Sequence, residues 1–220
     1  MKKLNYKVNK PIIIVGAGGH AKVLVDCLLH AGLKIEGIVD RDSEKSRHDI
    51  LGIPVIGDDS TVLSYSQNDI LLVNGLGSVQ STIARKSIYL YFKEQGYSFA
   101  KVIHPTAIIG YEVAIGEGVQ IMAGAIVQPG CTIHDNSILN TGAMVDHDCV
   151  VGKHVHIAPG VRCSGGITVG DCTHIGTGAT VRQGINIGEN CLIAAGSVVV
   201  SDVANDCCVM GIPAKVRGKK

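Results

Sequence analysis

The sequence predicts a two-part chain, an N-terminal α/β unit followed by an all-β parallel solenoid, and three observations predict it. From Ile103, Ile109 and Ile115 through Ile187, Ile193 and Val199, every sixth residue is of buried type without interruption. Four places after each stands a second regular series, mostly small, as at Ala107, Ala125, Cys131, Ser137, Ala143, Cys149, Ala179 and Cys191. Before position 100 the pattern is instead an apolar strand, a glycine-rich turn and a helix. A period of six fits neither the 3.6 of a helix nor a plain alternating strand, so it marks a coil whose flat sides are very short strands.

Side chains alternate along such a strand, so the aliphatic residue points into the coil and its neighbours point out. The next corner is cramped and takes a small residue. Glycine often follows the aliphatic position (Gly110, Gly116, Gly152, Gly170, Gly176, Gly188), as expected where backbones approach closely or turn sharply. Seventeen hexads at three sides per coil give roughly 5.7 coils of about 18 residues, a prism about 27 Å long. Each coil bonds only its neighbours, so the ends need caps.

Composition agrees with a turn-rich fold: 28 Gly, two Phe and no Trp in 220 residues. A net charge of +1 gives no reason to expect nucleic acid or an acidic membrane as partner. Lys2, Lys3, Lys7 and Lys10 precede an apolar run of only Ile12 to Val15, too short for a signal peptide, and nothing is long enough to insert in a membrane. A cytoplasmic location is the expectation. Of the eight cysteines, Cys131, Cys149 and Cys191 occupy small corner positions, Cys163 an aliphatic one, and Cys207 and Cys208 the tail. None forms a CxxC pair, which predicts small buried hydrophobes rather than disulfides or zinc ligands.

In the N-terminal part, Lys10 to Val15 reads as a strand opening into Gly16-Ala17-Gly18-Gly19-His20, with a helix from Ala21 to His30 and a second strand from Ile35 to Val39 ending at Asp40. Strand, glycine turn, helix and strand ending in an acid is the layout of a Rossmann-like nucleotide-binding unit. Gly18 and Gly19 would offer backbone amides to a phosphate, and Asp40 would accept from a base or ribose. The full G-x-G-x-x-G is absent, since position 21 is Ala. Asp69 to Val73 is a further strand, followed by a second glycine turn (Asn74 to Ser78) and a helix over 79–95. Both turns lie at the carboxyl edge of the sheet, where open parallel sheets bind ligands. The segment from Val55 to Asp59 supplies another strand and turn. The boundary falls near residue 100, giving a Rossmann-like nucleotide-binding unit over 1–100 and the solenoid with its tail over 101–220.

The repeat also places the histidines. His134, His147, His154, His156 and His174 all avoid the inward aliphatic slot, and His156 and His174, 18 apart, should stack in successive coils. An imidazole beside carboxylates can serve as a proton acceptor near neutral pH. Spacing alone does not choose among them.

The hexads, the Gly16-to-His20 turn, the stretch Asn140-Thr141-Gly142-Ala143 through His147-Asp148, and the tail Gly211-Ile212-Pro213-Ala214-Lys215 together resemble the sugar acyltransferases of the left-handed β-helix, hexapeptide-repeat superfamily. The likeness is to the PglD/NeuD type, which includes bacillosamine N-acetyltransferases, perosamine N-acetyltransferases and sialic acid O-acetyltransferases. It spans nearly the whole chain. The resemblance implies a cytoplasmic homotrimer with active sites between subunits, a nucleotide-linked sugar held by the front unit, and acetyl-CoA as co-substrate in the groove between prisms, with no metal. His147 matches the general base and Asp148 its orienting acid, where bacillosamine enzymes often carry Glu. His156 matches a histidine near the thioester, Gly165 an amide for the acetyl carbonyl, and Thr177 and Ala195 the lining of the pantetheine arm. Gly18, Gly19 and His20 would take the phosphates, and Asp40 and Asn74 the base.

The expected activity is therefore acetyl transfer to the C4 amine of a nucleotide-linked, UDP-type amino sugar. Rival readings are O-acetylation of sialic acid, N-acetylation of GDP-perosamine, a γ-type carbonic anhydrase with zinc between subunits, and a non-catalytic nucleotide-sensing trimer. The anhydrase would need no front nucleotide unit.

Overall fold

A computed structural model describes residues 10–42 and 49–220; Lys2, Lys3 and Lys7 lie outside them. The N-terminal sheet is built from β1 (Ile12–Val15), β2 (Ile35–Val39), β3 (Asp49–Ile50), β4 (Ile53–Gly57) and β5 (Leu71–Asn74) in the order β3-β4-β2-β1-β5. All neighbours are parallel except β3, which forms a hairpin with β4. β1 is buried on both faces, as a central parallel strand requires. Ile12 and Ile14 pack with α1 (Gly19–His30), while Ile13 and Val15 pack with Val62 of α2 (Asp59–Leu63) and Ile88 and Phe92 of α3 (Ile83–Glu94).

α3 begins at Ile83, four residues later than the expected start at Val79. Gln80 sits at φ +64° and Val79 bridges to Ser81, and a right-handed helix cannot run through a left-handed residue.

The solenoid is a hexapeptide-repeat β-helix of two-residue strands on three faces. The first face runs through the strands beginning at Val102, Gln120, Ile138, His156, His174 and Leu192, the second through those at Ile108, Ile126, Met144, Arg162, Thr180 and Val198, and the third through those at Ala114, Thr132, Val150, Thr168 and Asn186. Pairing is in 18-residue register throughout, so each aliphatic stacks on the next in one continuous core. Two demands recur at the corners. From Glu112 to Gly196 the third residue after each aliphatic adopts a left-handed conformation, usually as glycine, and without it at Glu112, Asn136, Asp148 (φ +58°), His154 (φ +58°), Cys172 and Asn190. Glycine directly after the aliphatic serves close approach: a Cβ on Gly170 would lie 2.5 Å from the backbone nitrogen of Glu189 in the next coil.

The small corner residues do more than fit. Ser137 Oγ donates to Gly152 O (2.7 Å), Thr173 Oγ1 to Gly188 O (2.8 Å) and Cys131 Sγ to Asp146 O (2.9 Å), closing carbonyls that the short strands leave open. All eight cysteines are unpaired; five are buried, but Cys172, Cys207 and Cys208 are partly exposed, contrary to a uniformly buried set. The tail pair sits on the strand Cys207–Gly211, which with the strand Ala214–Lys219 forms a hairpin that extends the first face and ends the stack.

No free linker joins the two parts. Ala100 N donates to Leu72 O (2.8 Å), and Ala100, Val102 and Met122 share an apolar cluster with β1 and α1. The α/β unit is thereby seated on the first solenoid face. No helix among the described residues is long and apolar enough to cross a membrane.

Candidate active site

The two glycine turns are held at one edge of the sheet: Gly16 N donates to Val39 O at the end of β2 (2.7 Å), and Gly75 N of the second turn donates to Val15 O at the start of the first (2.7 Å). A Cβ on Gly75 would stand 2.5 Å from Gly16 O, so glycine is required there. Between these turns and the first solenoid face lies a cavity of about 760 Å³. Gly18, Gly19, His20 and Asp40 line it from one side; Asn140, Thr141, His156, Pro159, His174 and Thr177 line it from the other.

Gly18 precedes the first turn of α1 with no side-chain cap, so amides at the helix start face the cavity as an anion site. Asp40 is half-buried; its two oxygens accept from Ala17 N (2.6 Å) and Asp42 N (2.9 Å), which shapes the turn. His20 Nε2 bonds Gln120 Oε1 of the solenoid at 2.7 Å. Asn74 departs from expectation: it is buried below the cavity wall, donates to Arg85 O (2.8 Å) and accepts from Leu76 N (3.2 Å), so its amide is committed to the fold rather than to a nucleotide base.

His156 and His174 stack in register on the first face, with ring centroids 4.9 Å apart. They point out of the prism yet are buried, because the α/β unit covers them. Asn140 Oδ1 accepts from Thr141 N (2.8 Å), which turns its Nδ2 toward His156 Nε2 (3.1 Å). His156 Nδ1 then donates to Ser78, whose Oγ lies at 2.5 Å and carbonyl at 3.1 Å. Both ring nitrogens are thus used. Burial, then the neighbouring His174, push the His156 pKa down to about 3, and burial lowers that of His174 to about 4, so neither carries charge at neutral pH.

His147 and Asp148 stand apart from the cavity. They occupy the corner between the second and third faces, whereas Thr141, Pro159, Thr177 and Ala195 form a column at the corner between the first and second; Ala195 is exposed beyond the cavity rim. His147 Nδ1 lies 2.8 Å from Asp148 Oδ2, so the shorter acid reaches the ring, from a backbone in the left-handed region. With Nδ1–H donating to the carboxylate, Nε2 is left as an acceptor. Gly165 is one coil further on, under the ring: a Cβ there would fall 2.5 Å from His147 Nε2. The Gly165 N–H makes no hydrogen bond among the described residues.

The PglD N-terminal domain family matches residues 11–91, and bacterial transferase hexapeptide repeats match 112–147 and 130–165. The acetyltransferase domain of PglB from Neisseria gonorrhoeae FA1090, solved in complex with acetyl coenzyme A, is 34% identical over 94% of this chain and 98% of that one, with a TM-score of 0.86. PerB from Caulobacter crescentus, solved with CoA and GDP-perosamine, is 35% identical over 94% and 97%, TM-score 0.87. The chain belongs to the PglD-type sugar acetyltransferases. WeeI from Acinetobacter baumannii AYE is a more distant likeness, at 26% identity over 94% and 99% with a TM-score of 0.83. No curated protein sequence matches the chain.

The Asp148 contact also shifts the titration of His147. The Asp148 hydrogen bond holds the His147 pKa above the ordinary imidazole value, and only the neutral ring can accept a proton. Removing the carboxylate lowers that pKa, so Asp148→Asn is expected to move the acid limb of the kcat/KM profile to lower pH while the plateau falls roughly 10- to 100-fold. An acid limb that stays in place or moves up would show that Asp148 does not act on His147.

Ser78, Asn140, Gln120 and Arg85 escaped the sequence reading. Asn140 belongs to the Asn140-to-Asp148 stretch, and its 16-residue spacing to His156 is the signal that marks it. Gln120 shares the 18-residue column of His156 and His174. Arg85 is fully buried and donates to Asn74 O (2.9 Å) and Leu76 O (2.8 Å), pinning the second glycine turn; nothing in its helical position announces this.

Proposed function

We propose that the chain catalyses direct transfer of an acetyl group from acetyl-CoA to the C4 amine of a nucleotide-linked amino-deoxy sugar, of UDP type. The observation that carries it is the His147–Asp148 pair with its free Nε2 set over the unbonded Gly165 amide. The amine nitrogen attacks the thioester carbonyl as His147 Nε2 takes its proton; Asp148 stabilises the imidazolium. The oxyanion accepts from Gly165 N–H. Collapse breaks the C–S bond, and the proton returns from His147 to the departing thiolate. No serine or cysteine nucleophile enters.

The reading includes a cytoplasmic homotrimer. In one prism the dyad and the cavity sit on different corners, separated by a six-residue side of at most roughly 20 Å, and in this reading a second copy brings base and sugar together. Thr177 and Ala195 would line the pantetheine arm, with Gly18 and Gly19 on the diphosphate and Asp40 toward the nucleoside. The relatives solved with acetyl coenzyme A and with CoA and GDP-perosamine support the substrate classes.

A thermal-shift panel of UDP-, GDP-, dTDP- and CMP-linked sugars, followed by thiol release with acetyl-CoA, tests it. Ligand at a hundredfold its Kd stabilises by about 2.7 kcal/mol, a shift readily measured. A response to UDP sugars with thiol release is the expected result. Selection of GDP would make the substrate perosamine-like, selection of CMP would favour the sialic acid reading, and no response to any nucleotide would sink the proposal.

A further inference from the structure

Gln120 is a polar residue buried at 1% exposure in the seam between the two parts, with both ends of its amide engaged. One end lies 2.8 Å from Asn74 O, a carbonyl that can only accept, so that end is the NH2 group. Arg85 donates to the same carbonyl and holds it in place. The other end is therefore Oε1, and it faces His20 Nε2 at 2.7 Å. An amide oxygen cannot donate, so His20 carries its proton on Nε2. His20 Nδ1 has no partner among the described residues, is not among the sealed-off polar atoms, and belongs to a side chain that lines the cavity. Burial, reinforced by Arg85, lowers the His20 pKa to about 4, so no second proton occupies Nδ1 at neutral pH.

A lone pair aimed into a nucleotide-sugar cavity cannot bond a phosphate oxygen, which is itself only an acceptor. In this tautomer the amides at Gly18 and Gly19 are the donors on offer to the diphosphate, and His20 offers an acceptor instead. His20 is tied to the solenoid through Gln120, whereas Asp40 stands at the end of β2, so His20 lies on the solenoid side of the cavity, the side to which the proposed function assigns the sugar. We propose that Gln120 is a positioning residue that locks His20 in the Nε2–H tautomer, so that Nδ1 accepts an O–H or N–H hydrogen from the hexosyl unit of the nucleotide sugar. This rests on the nucleotide-sugar reading above.

The test is calorimetric titration with UDP and with a UDP-linked 4-amino-sugar, or with GDP and GDP-perosamine if the panel selects guanine, alongside ¹⁵N NMR of the His20 ring. Gln120→Met and His20→Gln are each expected to weaken the nucleotide sugar roughly tenfold while the free diphosphate stays within about twofold. His20→Asn, which keeps an oxygen near the Nδ1 position, is expected to retain most of the affinity. The ring should show protonated Nε2 in the parent and lose that pattern in Gln120→Met. Equal loss for diphosphate and sugar nucleotide, or a parent ring protonated on Nδ1, overturns the proposal. Failure of the parent to bind any nucleotide overturns the nucleotide-sugar reading first and this proposal with it. If Gln120→Met does not fold, His20→Gln at its half-buried site on the cavity wall decides the matter.

Discussion

His147→Ala is expected to lower kcat about 10³-fold while leaving acetyl-CoA affinity within about twofold. The ring is 53% exposed and packs no core, so its loss should not disturb the coil that carries it. What disappears is the acceptor that the proposed mechanism gives the amine proton. Without it the attacking nitrogen must shed its proton to water, and general base catalysis is worth typically 10²- to 10⁴-fold. The split between turnover and co-substrate binding is the diagnostic, since the groove that would hold coenzyme A is lined by other residues. Steady-state kinetics with an amino-sugar nucleotide, together with direct titration of acetyl-CoA, reads both numbers. Near-normal turnover in this variant would remove His147 from the mechanism.

Gly165→Ala should be nearly as damaging to activity and almost silent in stability. Gly165 does not have a left-handed backbone, so alanine is conformationally allowed. The new methyl would stand 2.5 Å from His147 Nε2, 2.6 Å from Cε1 and 3.0 Å from Cδ2. The imidazole is mobile enough to swing away, but doing so stretches the 2.8 Å bond to Asp148 and carries Nε2 off its line of attack. A misplacement of about 1 Å at a reacting group can cost about 10²-fold, and that is the expected fall in kcat. Alanine retains the backbone N–H, so the loss reports the base and not the oxyanion donor. The melting temperature should move by no more than about 2 °C. Activity within a factor of two of the parent would mean that the ring does not sit over Gly165 in the working enzyme.

Much of this was legible in the chain because a solenoid writes its geometry into its spacing. An 18-residue step places His174 on His156 and Gly165 on His147, and both neighbours are where that step puts them. The Asp148 contact follows from adjacency and from a corner that turns left-handed every sixth residue. The same local logic explains the cysteines of the core. It fails for Cys207 and Cys208, which lie beyond the last coil on a hairpin edge.

Spacing could not reveal which outward positions are covered. By register, His134, His156 and His174 are all outward-facing; His134 is exposed, and the other two are buried only because the α/β unit docks on their face. Asn74 had the right place in a glycine turn, but Arg85 on α3 and Leu76 in the same turn claim its amide. The start of α3 moved because a left-handed Gln80 interrupts what its composition would allow.

By itself, then, the sequence determined the two-part architecture, the solenoid register, the stacked histidine columns and, through family resemblance, the candidate base. These depend on contacts between residues six or 18 apart, where the pleat makes the spacing regular. The tertiary structure alone decided that His20 faces the cavity through Gln120, that the first-face histidines are neutral and enclosed, and that the dyad and the cavity occupy different corners of one prism. Those outcomes come from docking one part on another, in which residues 100 positions apart, such as His20 and Gln120, share a hydrogen bond that no local period encodes.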